Sequence, residues 1–126
     1  YEFPGFGVDK MEGGAGALKN WLKKAPAEED GWGKVSATLS FLGWTEYLAR
    51  NYQEALPGFG RRAGLKRPGG GVFSDPYDGM GWCTLAMGNL DRAEEHFLKS
   101  ISISPRTESS IKGLEAVQAA RGGKKQ

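Results

Sequence analysis

The sequence predicts an all-α fold built of antiparallel helix pairs, and three observations carry that prediction. Apolar residues recur with a helical rather than an alternating rhythm. A block of sequence returns after 38 positions, and a fixed internal period of this size is the mark of stacked supersecondary units. The stretches between the periodic segments hold helix-starting and helix-ending chemistry. With 126 residues, the chain is the size of one domain and can enclose a hydrophobic core.

The repeat is read by laying Leu42 to Ala55 on Met80 to Ala93. From Trp44 and Trp82 the same offsets follow: a large residue at Tyr52 and Leu90, an alanine at Ala55 and Ala93, and a phenylalanine at Phe59 and Phe97. One step further back lie Gly5 and Phe6, with Ala17 and Trp21 at the matching later offsets. These residues suggest a degenerate earlier copy, loosened by Pro4, Gly5, Gly7, Gly13 and Gly14. Residues 1–13 are therefore read as an N-terminal extension or degenerate half-repeat, and 14–121 as the domain. Its clear repeats lie at about 36–68 and 74–105.

Six helices are expected, near 14–25, 33–50, 53–66, 76–87, 90–103 and 107–121. Leu39, Leu42, Tyr47 and Leu48 form the apolar face of the second, and Tyr52, Ala55, Leu56, Phe59 and Ala63 that of the third. Between the helices of each pair, Arg50-Asn51 and Gly88-Asn89 supply residues that tolerate a left-handed conformation or cap a helix. The third helix contains Pro57, Gly58, Gly60 and Gly64. Each glycine costs about 0.5–1 kcal/mol relative to alanine, so this helix is expected to depend on tertiary packing and to be the weakest of the core repeats.

Residues 68–76, rich in glycine and proline, separate the pairs. Asp75 as N-cap with Pro76 at the first helical position starts the fourth helix. The last helix carries Ile111, Leu114, Val117 and Ala120 on one side and Glu108, Lys112, Glu115 and Gln118 on the other. A polar outer face suits a terminal capping helix. Gly122-Gly123 ends it, leaving 122–126 as a flexible tail.

These residues resemble the tetratricopeptide repeat (TPR), a helix-turn-helix unit of about 34 residues. The matching positions are Leu42-Gly43, Tyr52, Ala55, Phe59 and Pro68, then Met80-Gly81, Gly88-Asn89-Leu90, Ala93, Phe97 and Pro105. Departures are the residue at the turn, Arg50 in place of the usual glycine, and the expanded linker. The resemblance implies a TPR-like α-solenoid, a right-handed superhelical stack of antiparallel helix pairs. Gly43, Gly81, Ala55 and Ala93 would let helices approach closely while Phe59 and Phe97 fill the gap to the next helix.

The resemblance also implies a function: a protein–protein interaction module or scaffold whose concave groove, lined by the first helix of each pair, takes an apolar or amphipathic segment of another protein. Carried over by position, the groove residues are Phe41, Trp44, Tyr47 and Leu48 in one repeat and Asp78, Trp82, Leu85 and Ala86 in the other. Trp and Tyr are enriched at binding hot spots. The competing reading makes Trp44 and Trp82 core residues packed between pairs. Family members that grip the acidic C-termini of chaperones use Lys, Arg and Asn in this groove. Ser40, Trp44 and Asp78 stand at comparable places here, so no carboxylate clamp is expected. An alternative function is the non-catalytic regulatory or substrate-presenting region of a larger enzyme, motivated by a chain that opens on Tyr1 rather than Met and reads as an excised or processed fragment. Self-association of stacked pairs across a subunit boundary is a further expectation.

Composition argues against other classes. A net charge of +2 lacks the excess expected of a phosphate-neutralising chain, and the apolar runs are too short to insert in a membrane. Arg61, Arg62, Lys66 and Arg67 make the densest basic cluster, read as a solvated helix face favourable to the helix C-terminus before any nucleic-acid role. Gly69, Gly70 and Gly71 are not followed by the Gly-Lys-Ser/Thr of a phosphate loop. The single cysteine, Cys83, forms no intramolecular disulfide, and with the lone His96 it cannot supply a four-ligand zinc site of cysteines and histidines. As a thiol and base, Cys83 and His96 could serve nucleophilic chemistry. Cys83 sits where the repeat wants a small packed residue, so it is read as an inert buried thiol. The chain is expected to be no enzyme and to carry no cofactor.

Overall fold

The computed structural model describes residues 16, 19, 20, 22, 23, 29–65 and 72–122. Among them are five helices and no strand: α1 (Glu29–Leu48), α2 (Tyr52–Ala63), α3 (Asp75–Ala86), α4 (Leu90–Ile103) and α5 (Glu108–Gly122). The fold is all-α. Of the helix expected at 14–25, Gly16, Lys19, Asn20, Leu22 and Lys23 are described and helical. The extension 1–13 and the tail beyond Gly122 lie outside the described residues.

Each helix packs on its successor, and the first helices of successive pairs also meet, α1 on α3 and α3 on α5. Among the described residues α2 and α4 make no comparable contact. Helix α3 is thus touched by all four others. Its sequence suits that place, because Pro76, Asp78, Gly79, Gly81, Cys83 and Thr84 are all buried and no single apolar stripe is needed when a helix is covered on several sides. Helices α2 and α4 lie against fewer neighbours and bury a narrower face, Ala55, Gly58 and Phe59 in one and Ala93, Phe97 and Ser100 in the other.

Two clusters form the core. Ala55, Phe59 and Cys83 are fully buried, with Trp44, Tyr47, Tyr52, Leu56 and Met80 packed around them. Ala93, Phe97 and Val117 form the second, surrounded by Trp82, Leu85, Leu90 and Leu114. Each phenylalanine is gripped between two glycines of different helices. A methyl group built on Gly43 of α1 would come within 2.6 Å of the Phe59 ring, and one on Gly79 of α3 within 2.5 Å. Phe97 lies in the same way against Gly81 of α3, at 2.5 Å, and against Gly113 of α5. Gly43 and Gly81 are the small residues the repeat pattern singles out. Gly79 and Gly113, which receive the far side of each ring, are not marked by it.

The turns inside the pairs are built alike. Arg50 and Gly88, 38 positions apart, have φ of +66° and +83°. After α1 the Asn51 N–H donates to the Glu46 carbonyl at 2.8 Å and the Arg50 N–H to the Tyr47 carbonyl at 2.9 Å. After α3 the Asn89 N–H donates to Thr84 and the Gly88 N–H to Leu85, both at 2.9 Å. This double bond pattern with a left-handed residue after the helix is the Schellman motif.

Boundary details differ from the sequence expectation, and α1 spans Glu29–Leu48 where 33–50 was expected. The N-cap before α3 is Ser74, without a side-chain capping bond, and Asp75 is the first helical residue. The Asp75 carboxylate instead accepts from Arg62 Nε at 3.0 Å, since an opposite charge within reach competes with backbone N–H groups for the same oxygens. Asn89 caps α4 by accepting from the Arg92 N–H at 3.2 Å, whereas Asn51, at the equivalent position, turns its Nδ2 to the Glu46 carboxylate at 3.3 Å. Helix α2 ends at Ala63, short of the expected 66, with Gly64 as its C-cap.

Candidate functional site

Trp44 and Trp82 hold equivalent places in space as well as in sequence. The Trp44 ring meets Phe59 edge-on, centroids 5.1 Å apart at 76°, and Trp82 meets Phe97 at 5.3 Å and 75°. Both indoles are half-buried and pack against a core cluster. Tyr47 stacks edge-on against Trp44 at 5.4 Å and lies 5.4 Å from Tyr52. Leu85 is half-buried on the second cluster. Leu48, 64% exposed, and Phe41, 44% exposed, are the most open of the expected groove residues on α1, and Met87 at the end of α3 is 40% exposed.

Asp78 departs from the picture of an open groove residue: it is 6% exposed. Its Oδ1 accepts from Ser110 Oγ at 2.7 Å and its Oδ2 from Ser109 Oγ at 2.9 Å, both hydroxyls belonging to α5. Ser109 in turn accepts from Trp82 Nε1 at 3.0 Å. The buried hydroxyls of Ser110 and Ser100 lie 2.7 Å apart; with the Ser110 proton committed to the carboxylate, the Ser100 hydroxyl donates to Ser110. Asp78 and Trp82, one turn apart on α3, are thus joined to α4 and α5 through serines. Nothing in the repeat pattern marks serines for this task, because a buried hydroxyl has the same sequence signature as an exposed one.

The basic cluster is also used differently from expectation. Arg62 is not a solvated residue: its guanidinium donates to the Ser36 carbonyl at 2.6 Å and to the Ser36 hydroxyl on α1, holds Asp75 at the start of α3, and lies 4.0 Å over the Phe73 ring. One side chain of α2 therefore fastens both the helix before it and the helix after it. Arg61 is exposed; Lys66 and Arg67 lie outside the described residues.

For chemistry at Cys83 the environment is adverse. The thiol is fully buried, and burial pushes its pKa up to about 12, which leaves almost no thiolate near neutral pH. Burial also lowers the pKa of His96, helped by the Arg92 charge and opposed by that of Glu95. Among the described residues no cluster of three or more His, Cys, Asp or Glu is placed to hold a metal ion, and no helix is long and apolar enough to cross a membrane. No family model matches the chain, and no curated protein is found to be similar to it.

Proposed function

We propose that the chain is a TPR-like α-solenoid, a right-handed superhelical stack of helix pairs, and that it works as a protein–protein interaction module. The groove formed by the first helices takes an apolar or amphipathic segment of a partner protein. The observation that carries this reading is the doubled geometry of Trp44 on Phe59 and Trp82 on Phe97: two half-buried indoles, each rigidly backed by a core ring and each on a first helix. Such anchored aromatics offer contact area at low cost in side-chain entropy. Exposed Leu48 and Met87 extend the apolar surface at the ends of the same two helices. Asp78 is linked to Trp82 through the Ser109 hydroxyl, and no carboxylate clamp is part of the groove. The buried, protonated Cys83 belongs to the packing, and the module acts by binding without a reaction of its own.

The test separates binding from folding by changing exposed positions. Leu48→Asp and Met87→Asp are expected to leave the helical circular dichroism intact and to abolish retention of the proteins that the wild-type chain captures from its host's extract. Retention of the same proteins by both variants would sink the proposed groove.

A further inference from the structure

A second recess lies on different side chains. The described N-terminal helical residues Lys19, Leu22 and Lys23, together with α1 and α2, enclose a groove of about 460 Å³. Leu39 and Leu42 of α1, with Leu22 and Pro57, give it an apolar lining, and Gly58 of α2 brings that helix against α1, its position lying 3.4 Å from the Leu39 carbonyl for a built methyl. Glu54, Pro57, Gly58 and Arg61 all reach the groove from α2, a stripe at helical spacing. The volume matches one or two large apolar side chains and falls in the range of ligand recesses.

Its rim is charged asymmetrically. Among the described residues, Lys19, Lys23 and Arg61 border it against Glu54 alone. Lys19 is shared with the Glu46 carboxylate at 3.5 Å, and among the described residues neither Lys23 nor Arg61 has a carboxylate partner. We propose that this groove is a second docking site, which takes an acidic amphipathic segment of another protein: an apolar side chain enters between Leu22, Leu39, Leu42 and Pro57 while flanking Asp or Glu residues meet Lys23 and Arg61. The apolar lining disfavours a nucleic-acid backbone, which needs cations along a track and aromatic faces for its bases. Positive charges around an apolar slot select carboxylates near an apolar anchor.

The experiment selects peptides from a phage-displayed random 12-residue library on the full chain, then measures the synthetic winners by fluorescence anisotropy. Enriched sequences are expected to place Asp or Glu beside a bulky apolar residue and to shift the amide resonances of Leu39, Leu42 and Gly58. Lys23→Glu with Arg61→Glu, both at exposed positions, weakens them about tenfold or more. Glu54→Lys, which removes an acidic rim residue, strengthens them, and this opposite sign keeps the test decisive if the double variant folds poorly. Enrichment of basic or uncharged peptides, or no enrichment, overturns the proposal. Winners that shift only the Trp44 and Trp82 indole resonances also overturn it while supporting the first-helix groove, so the two readings fail separately.

Discussion

Gly43, Gly79, Gly81 and Gly113 hold the faces of Phe59 and Phe97, and at each of them helix propensity and packing have opposite signs. Alanine is ordinarily the better helix former by about 0.5–1 kcal/mol. At Gly113 the added methyl would enter the Phe97 ring, against which Gly81 of α3 is also closely packed. Gly113→Ala is therefore expected to lower stability by about 1–3 kcal/mol, the usual range for an overpacked core. Gly60, exposed within α2 with open space around it, should show the reverse, Gly60→Ala gaining about 0.5–1 kcal/mol. Urea unfolding of the two variants checks the pair of signs. Cys83 gives a pH signature. The folded thiol keeps its proton up to about pH 12, against 9.0 for a free thiol. The Cys83 contribution is thus complete below about pH 9 and is lost as pH rises towards the folded value. Unfolding midpoints at pH 7 and about pH 10 should fall further for the wild type than for Cys83→Ala; equal falls would refute the assignment.

At the level of elements, the two turns share one hydrogen-bond pattern but not one residue. Gly88 meets the left-handed conformation without a steric penalty, while Arg50 holds it with a side chain that L-residues rarely accommodate there, a cost of about 1–2 kcal/mol. Arg50→Gly should raise stability by about 1 kcal/mol, and Gly88→Ala should lower it by a similar amount. Asn89→Ala removes the cap from α4 and is expected to cost about 0.5–2 kcal/mol. Thermal midpoints measured on the three variants distinguish turn strain from capping. Helix α2 keeps Pro57 in its interior, where the ring removes one backbone hydrogen bond; the fully buried Phe59 and the fastening through Arg62 compensate for that loss.

Across the whole molecule, cohesion between pairs rests on a few side chains that cross from one pair to the next. Arg62 reaches α1 and α3 at once, and the planar guanidinium is needed both for its several donors and for the Phe73 ring. Arg62→Lys is expected to lower stability by about 1.5–3 kcal/mol, the range of a hydrogen bond to a charged group, and to speed amide hydrogen exchange in α1 and α3 alike. Exchange confined to α2 would show that the fastening is local. Helix order and the turn positions were legible in the sequence, because apolar spacing and left-handed residues act through local backbone chemistry. Gly43 and Gly81 were legible too, as bulk missing at a fixed offset. The sequence alone assigned Asp78 to an open groove, Asp75 to a cap and Arg62 to a solvated helix face. Only the tertiary structure decided these, since a polar side chain finds its partner by distance in space, and Ser36, Ser109 and Ser110 come from helices far away in the chain. The same holds for Gly79 and Gly113, whose need for small size arises only when another helix brings a phenylalanine against them.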